Sequence, residues 1–316
     1  MARLDSSMHP KLTDEIVLRL QAKKIFTVFN FMSEHPDKLI KITDFSYKEV
    51  LEFKKTIAKS FSGQVQDAFE LMKIEYTNIV PSGITSLDDL LKGGLHPGHL
   101  YEICGVSSSG KTQLCHTVAA NITSSTKSYV HYIDTKRDFS ALRIQRILEA
   151  KKYSDAEIGE AMDRIKVTRV KNVCELFNIL YHLNSSLKTS NDSYPTKLVI
   201  IDSVAAIFLQ LPTVQEMASA LNNLSNISRC LANSFHIPLI TVNLISRWRE
   251  VDGFAASNEN PIVIKPSLGK YWLHVPNTRL MIQKEEKEFR KISVWKSFQL
   301  KLNSFCIVNI TTAGVI

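Results

Sequence analysis

The chain has 316 residues, 44% of them hydrophobic, and a net charge of +8. That is enough for two domains with a real core, and it excludes a disordered or fibrous class. Every apolar run falls short of eighteen residues, which excludes a membrane-spanning helix.

The first residues, Met1 to Ser6, lack the apolar segment of a secretory signal. Residues 1–60 predict a small all-helical domain. Leu12, Ile16 and Leu20 share one face, and Thr13-Asp14-Glu15 supply a cap and first-turn acids. Val28, Phe29 and Met32 suggest a second helix ending near Pro36, and residues 37–42 a short third. Ser46 and Glu49 stand in capping-box spacing before Val50, Leu51 and Phe53. So small a unit buries little surface, and its near-neutral charge favours a protein contact over DNA. Residues 61–81 read as a linker, from the break at Ser62-Gly63-Gln64 to Pro81-Ser82-Gly83. Phe61 and Phe69 within it are either pegs for a neighbouring subunit or packing for their own domain.

From residue 82 onward the pattern is α/β. Strands are expected at 100–104, 129–134, 165–167, 198–202 and 237–243, with helices between them at 113–122, 140–151, 155–164, 173–187 and 217–234. That alternation predicts a parallel sheet flanked by helices. Period-two patches at 278–283, 292–296 and 304–310 look like finishing strands.

The stretch Gly105-Val106-Ser107-Ser108-Ser109-Gly110-Lys111-Thr112 has the G-x-x-x-x-G-K-T spacing of a phosphate-cradling loop between a strand and a helix. The glycines allow close backbone approach, and loop N–H groups with the helix start supply positive potential. Lys111 is expected on the outer phosphates, with Thr112 on Mg²⁺ and Gln113 following. Asp202 ends an apolar strand and is the candidate second ligand for Mg²⁺. The expected ligand is a nucleotide with Mg²⁺, which the resemblance described below narrows to ATP. The alternative is a Gly/Ser-rich turn with a stray lysine.

The five cysteines (Cys104, Cys115, Cys174, Cys230, Cys306) are odd in number and without C-x-x-C spacing. This points to a reducing compartment and away from a structural zinc. The lone histidines, such as His116, have no partner at ligand spacing. Residues 241–316 hold eleven Lys/Arg against six Asp/Glu, which suits either a nucleic-acid face or a solvated basic surface.

The run Ser82-Gly83-Ile84-Thr85-Ser86-Leu87-Asp88-Asp89-Leu90-Leu91, then Gly93-Gly94-Leu95, Gly98, Glu102 and the loop through Gln113, resembles the opening of the RecA-like recombinase core. Tyr132-Ile133-Asp134-Thr135 is similar to that family's next strand. Lys265-Pro266-Ser267-Leu268-Gly269-Lys270, with Trp272 and Thr278-Arg279-Leu280, is similar to its later segment. The helical N-terminal unit matches the eukaryotic branch, and the 265–272 run looks most like its D-type paralogues. The resemblance implies a RecA-like P-loop ATPase core at 82–316, single-stranded DNA binding, recombination repair in the nucleus, and work in a hetero-oligomer with other recombinase paralogues.

Residues that depart from the family pattern shape the functional expectation. The glutamate that orients water in the family is here Lys136, which cannot accept a proton while charged. A lysine near an outer phosphate attracts it by about 4 kcal/mol at about 4 Å and an effective dielectric of about 20, before desolvation. Slow or absent hydrolysis is therefore expected. The first loop, residues 207–216, has no Lys or Arg, so strong DNA binding is not expected there. Its Phe208, Leu209 and Leu211 suggest a protein contact instead. The second loop keeps Arg247, Trp248, Arg249, Lys265 and Lys270 as candidate DNA contacts, diluted by Glu250, Asp252 and Glu259. The family's usual Asn-Gln pair is here Asn243-Leu244. Arg143 is either an adenine contact, by resemblance, or an ordinary helix residue. The leading expectation is a weak-DNA-binding mediator. An active DNA-dependent ATPase or recombinase and an interaction scaffold with vestigial nucleotide binding remain alternatives.

Overall fold

The computed structural model describes residues 3–61, 63, 65, 67–189, 194–249, 262–286 and 288–316, and the chain divides into two units, 1–70 and 71–316. In the first unit a turn at Ser6–Met8 precedes α1 (Asp14–Ala22), α2 (Val28–Ser33), α3 (Pro36–Thr43) and α4 (Tyr47–Phe61). Local chemistry starts these helices. The Thr13 hydroxyl accepts the Ile16 N–H. Ser46 N–H donates to the Glu49 carboxylate at 2.8 Å, and Glu49 N–H donates to the Ser46 hydroxyl at 3.3 Å, completing the expected capping box. Leu12, Leu20, Phe31, Leu39, Val50, Phe53 and Ile57 form the core of this unit. The next helix, α5 (Ala68–Thr77), lies within the stretch expected as linker, where Phe69, Met72 and Tyr76 are exposed. The side chain of Phe61 lies outside the described residues.

The second unit continues through α6 (Thr85–Leu90), β1 (Leu100–Cys104), α7 (Lys111–Ser125), β2 (Tyr129–Asp134), α8 (Ala141–Ala150), α9 (Asp155–Asp163) and β3 (Ile165–Arg169). Then come α10 (Val173–Thr189), β4 (Thr196–Asp202), α11 (Val204–Phe208), α12 (Val214–Phe235), β5 (Leu239–Asn243) and the hairpin β6 (Ile245–Arg249) with β7 (Ile262–Pro266). β8 (Thr278–Lys284), β9 (Phe289–Lys296), β10 (Phe305–Thr311) and β11 (Gly314–Val315) finish it.

One sheet organises this unit, in the order β11-β10-β9-β8-β1-β5-β4-β2-β3. From β8 to β3 the pairing is parallel, as expected. The last three strands pair antiparallel. Their connections are too short for the crossover that parallel neighbours need. The continuous apolar run of β4 reflects burial on both faces. Leu198 and Ile200 join one core cluster, with Val118, Tyr132 and Ile147, while Val199 and Ile201 join the other, with Leu176, Leu224 and Trp272.

The first loop departs from the expected protein-contact surface. Ile207 and Phe208 belong to α11 and are buried, with Phe208 meeting the Phe177 ring edge-on. Leu211 packs on the same cluster, and Leu209 alone of the three is exposed. Ile207, Phe208 and Leu211 anchor that segment to the core, while Leu209 and Val214 stay exposed.

Candidate nucleotide site

β1 delivers the chain to Gly105, and α7 carries it away from Gly110. Close contact explains both glycines. A Cβ on Gly105 would lie 2.5 Å from the Ile282 carbonyl of β8 and 2.6 Å from the Ser109 hydroxyl. Gly110 caps α7 at φ +107°, and a Cβ there would lie 2.6 Å from Ile310. The Lys111 ammonium curls back onto its own loop, donating to the carbonyls of Gly105 at 2.9 Å and Val106 at 2.7 Å. Burial and the nearby Lys136 charge lower its pKa. The loop opens on a cavity of about 350 Å³, walled by Ser107, Ser108 and residues 110–113 on one side and by Lys136, Asp138, Leu244, Arg290 and Ile310 on the other.

Parallel register sets Asp134 of β2 beside Asp202 of β4, and the two carboxylates have different fates. Asp134 accepts four backbone N–H bonds, from Lys136, Arg137 and Asp138 on one oxygen and from Phe139 on the other, at 2.8–3.2 Å. It fixes the turn that carries Lys136 and Asp138 to the cavity. Asp202 is 2% exposed. Its Oδ2 accepts the Tyr132 hydroxyl at 2.9 Å, while its buried Oδ1 has no hydrogen-bond partner among the described residues. Burial raises the Asp202 pKa, opposed by the Thr112 and Tyr132 hydroxyls and the Lys136 charge.

These residues suit a polyphosphate with a divalent cation. The glycines leave room for close backbone approach, and the cations Lys111 and Lys136 line one cavity. An orphaned carboxylate oxygen beside Thr112 is a vacant oxygen ligand of the kind Mg²⁺ takes. Lys136 is exposed and also stands in the cavity wall, so a solvent-facing and a phosphate-facing position coincide.

Other expected residues fall differently. Arg143 is engaged in cis: Nε donates to the Gln113 amide oxygen at 2.7 Å, and the terminal nitrogens donate to the Thr312 and Thr311 carbonyls at 2.8 and 2.6 Å. It ties α8 and α7 to the end of β10. Asn243 donates to Glu102 at 2.7 Å and accepts the Leu244 N–H at 2.7 Å, so Leu244, where the family has Gln, enters the cavity wall. Lys265 and Lys270 are exposed, the latter with its ammonium 5.2 Å from the Tyr271 ring centre. The side chains of Arg247, Trp248 and Arg249, and residues 250–261 with Glu250, Asp252 and Glu259, lie outside the described residues. Sequence reasoning missed Arg290, Tyr132 and the four-bond role of Asp134. The last has a local signal, an acid ending a strand just before a polar turn. Arg290 has none, since it lies 181 positions from its partner Ser109.

Cys104 and Cys115 are buried, and burial raises both thiol pKa values well above the ordinary range. Among the described residues no cluster of potential metal ligands occurs, and no helix is long and apolar enough to cross a membrane. His116, on α7, is buried between the Tyr132 and Phe139 rings, and neither ring nitrogen has a hydrogen-bond partner among the described residues. Burial pushes its pKa down to about 4. The neutral ring is native, so its contribution is fully present above about pH 6.5 and is lost as pH falls toward 4. Melting curves between pH 7 and pH 4 should show His116→Phe losing less stability than wild type, by up to about 3 kcal/mol. Equal acid slopes would show that His116 does not titrate in this way.

Comparison with known proteins follows the same geometry. A family profile described as Rad51 matches residues 74–316, and one described as RAD51D, N-terminal domain, matches residues 1–57. The chain is similar to DNA repair protein RAD51 homolog 4 of Bos taurus, at 31% identity over 289 residues, covering 89% of this chain and 85% of that protein. The Mus musculus homolog 4 is 30% identical over 294 residues, covering 90% and 86%. The Mus musculus RAD51 homolog 2 is 29% identical over 326 residues, covering 93% and 92%. With its RecA-like sheet, phosphate loop and helical N-terminal unit, this chain belongs to the Rad51 family, among its D-type paralogues.

Proposed function

We propose that this chain binds ATP with Mg²⁺ and acts as a mediator in homologous-recombination DNA repair, in the nucleus, within a heteromeric complex of recombinase paralogues. The DNA-repair names of its relatives and its family membership support the process. Lys111 and the loop N–H groups hold the phosphates, and Thr112 with Asp202 Oδ1 holds the metal, which neutralises phosphate charge when bound. Exposed Lys265 and Lys270, with Arg247, Trp248 and Arg249, are the proposed weak contacts to single-stranded DNA. Arg143 supports the adenine side through Gln113 and β10.

The observation that carries slow hydrolysis is the position of Lys136. It sits on the Asp134-held turn, in the cavity wall, where the family places a water-orienting acid. An ammonium there attracts phosphate and cannot take a proton from water. Single-turnover hydrolysis should rise on the order of 10-fold or more in Lys136→Glu; no gain would remove this account. Asp138 favours a second reading, an active DNA-dependent ATPase, because its carboxylate shares the same wall. In that case wild type turns over ATP under single-stranded DNA stimulation, and Asp138→Asn abolishes it.

A further inference from the structure

The cavity has one wall that comes from neither the phosphate loop nor the strands usually read with it. β9 enters the antiparallel extension with Arg290, whose side chain is 7% exposed. Its Nε–H donates to the Ser109 carbonyl at 3.0 Å, and a terminal nitrogen donates to the Phe289 carbonyl at 2.9 Å. Nε also lies 3.7 Å from where a Cβ on Gly110 would stand. A guanidinium is thus held against the last peptide of the loop before α7.

We propose that Arg290 is a positioning residue for the phosphate loop, acting through the Ser109–Gly110 peptide. A trans peptide points its C=O and N–H in opposite directions. Holding the Ser109 oxygen on Arg290 therefore sets the Gly110 N–H in one orientation, facing away from β9. Gly110 is free to rotate as no other residue type is, so this peptide has most need of an external hold. This inference rests on the phosphate reading of the cavity, and it adds that the loop's receptive form depends on β9.

Side-chain length separates positioning from charge. In Gln the amide nitrogen is as many bonds from the backbone as Arg Nε, so Arg290→Gln keeps a donor for Ser109 and loses the charge. Arg290→Lys keeps the charge and displaces the donor. Arg290→Met keeps neither. Two measurements on the full chain test the proposal: equilibrium binding of a fluorescent ATP analogue with Mg²⁺, and hydrogen exchange of the amides of residues 106–112 without nucleotide. Expected affinities are within about 3-fold of wild type for Gln and on the order of 10- to 100-fold weaker for Met, with Lys nearer to Met. Loop exchange should quicken in Met and stay unchanged in Gln. Gln as weak as Met, or Met equal to wild type in both measurements, would overturn the proposal. If wild type binds no nucleotide, the phosphate reading fails, and the exchange arm still decides the role of Arg290.

Discussion

Asp202→Asn should raise the thermal midpoint of the nucleotide-free chain at pH 7 and abolish the further rise that ATP with Mg²⁺ brings. The carboxylate is 2% exposed, and one oxygen has no hydrogen-bond partner among the described residues. Burying such a charge destabilises the fold, and burial raises its pKa. For a raised carboxyl the favourable contribution is present below the unfolded value, near pH 3.9, and is lost as pH rises through the folded value. Above that folded value the native state carries the whole penalty. Asn has the same shape, still accepts the Tyr132 hydroxyl and carries no charge. The expected gain is about 1–2 kcal/mol, or about 2–6 °C, shrinking toward zero in acid. The ligand effect runs the other way. Saturating a site at about 100 times its Kd adds about 2.7 kcal/mol, and the Asn variant should lose nearly all of it. Scanning calorimetry at pH 7 and pH 4, with and without ATP and Mg²⁺, reads both signs. A lower midpoint in the nucleotide-free variant would mean that the carboxylate stabilises the fold rather than waiting for a cation.

The sign reversal marks where function departs from stability, and it also marks where sequence was informative. The loop at residues 105–112 announces itself because its chemistry is local: two glycines, a lysine and a threonine within eight positions. Asp202 is legible because a buried strand ending in an acid is unusual. β1 and β2 begin and end where their apolar runs do. Other features depend on chain segments that meet only after folding. The antiparallel pairing of β9 to β11 follows from connection lengths that period-two patches do not reveal. Burial of Phe208 was hidden because a short apolar helix and an apolar loop have the same composition. Arg143 reads as an exposed helix residue until β10 arrives beside it with two carbonyls. Arg290 depends on a strand far along the chain. The site's covalent grammar is thus local, while its supporting hydrogen bonds are long-range.

The largest loss of stability is expected from Arg279→Met, because of what it leaves behind at Glu102. Glu102 is fully buried in the middle of β1. Its Oε2 pairs with the Arg279 Nε of β8. Its Oε1 accepts from the Trp272 indole at 2.8 Å and from the Asn243 amide at 2.7 Å. One carboxylate thus joins β1, β5, β8 and the segment that follows β7. Removing Arg279 keeps two of the donors and strips the countercharge, and a buried charge left this way costs about 3–5 kcal/mol. Adding Glu102→Gln neutralises the site while its oxygen still accepts from Trp272 and Asn243, so the double variant should regain more than half of the loss. Denaturant unfolding of wild type, the two single variants and the double variant gives the coupling directly. Additive losses would show that the pair is packing and not charge. The consequence reaches the cavity through one residue. Asn243 donates to that carboxylate and accepts the Leu244 N–H, so a Glu102 that shifts after losing its countercharge carries Asn243 with it, and Leu244 is cavity wall. Arg279→Met should therefore also weaken ATP binding, measured below the variant's own melting temperature, and the added Glu102→Gln should restore it.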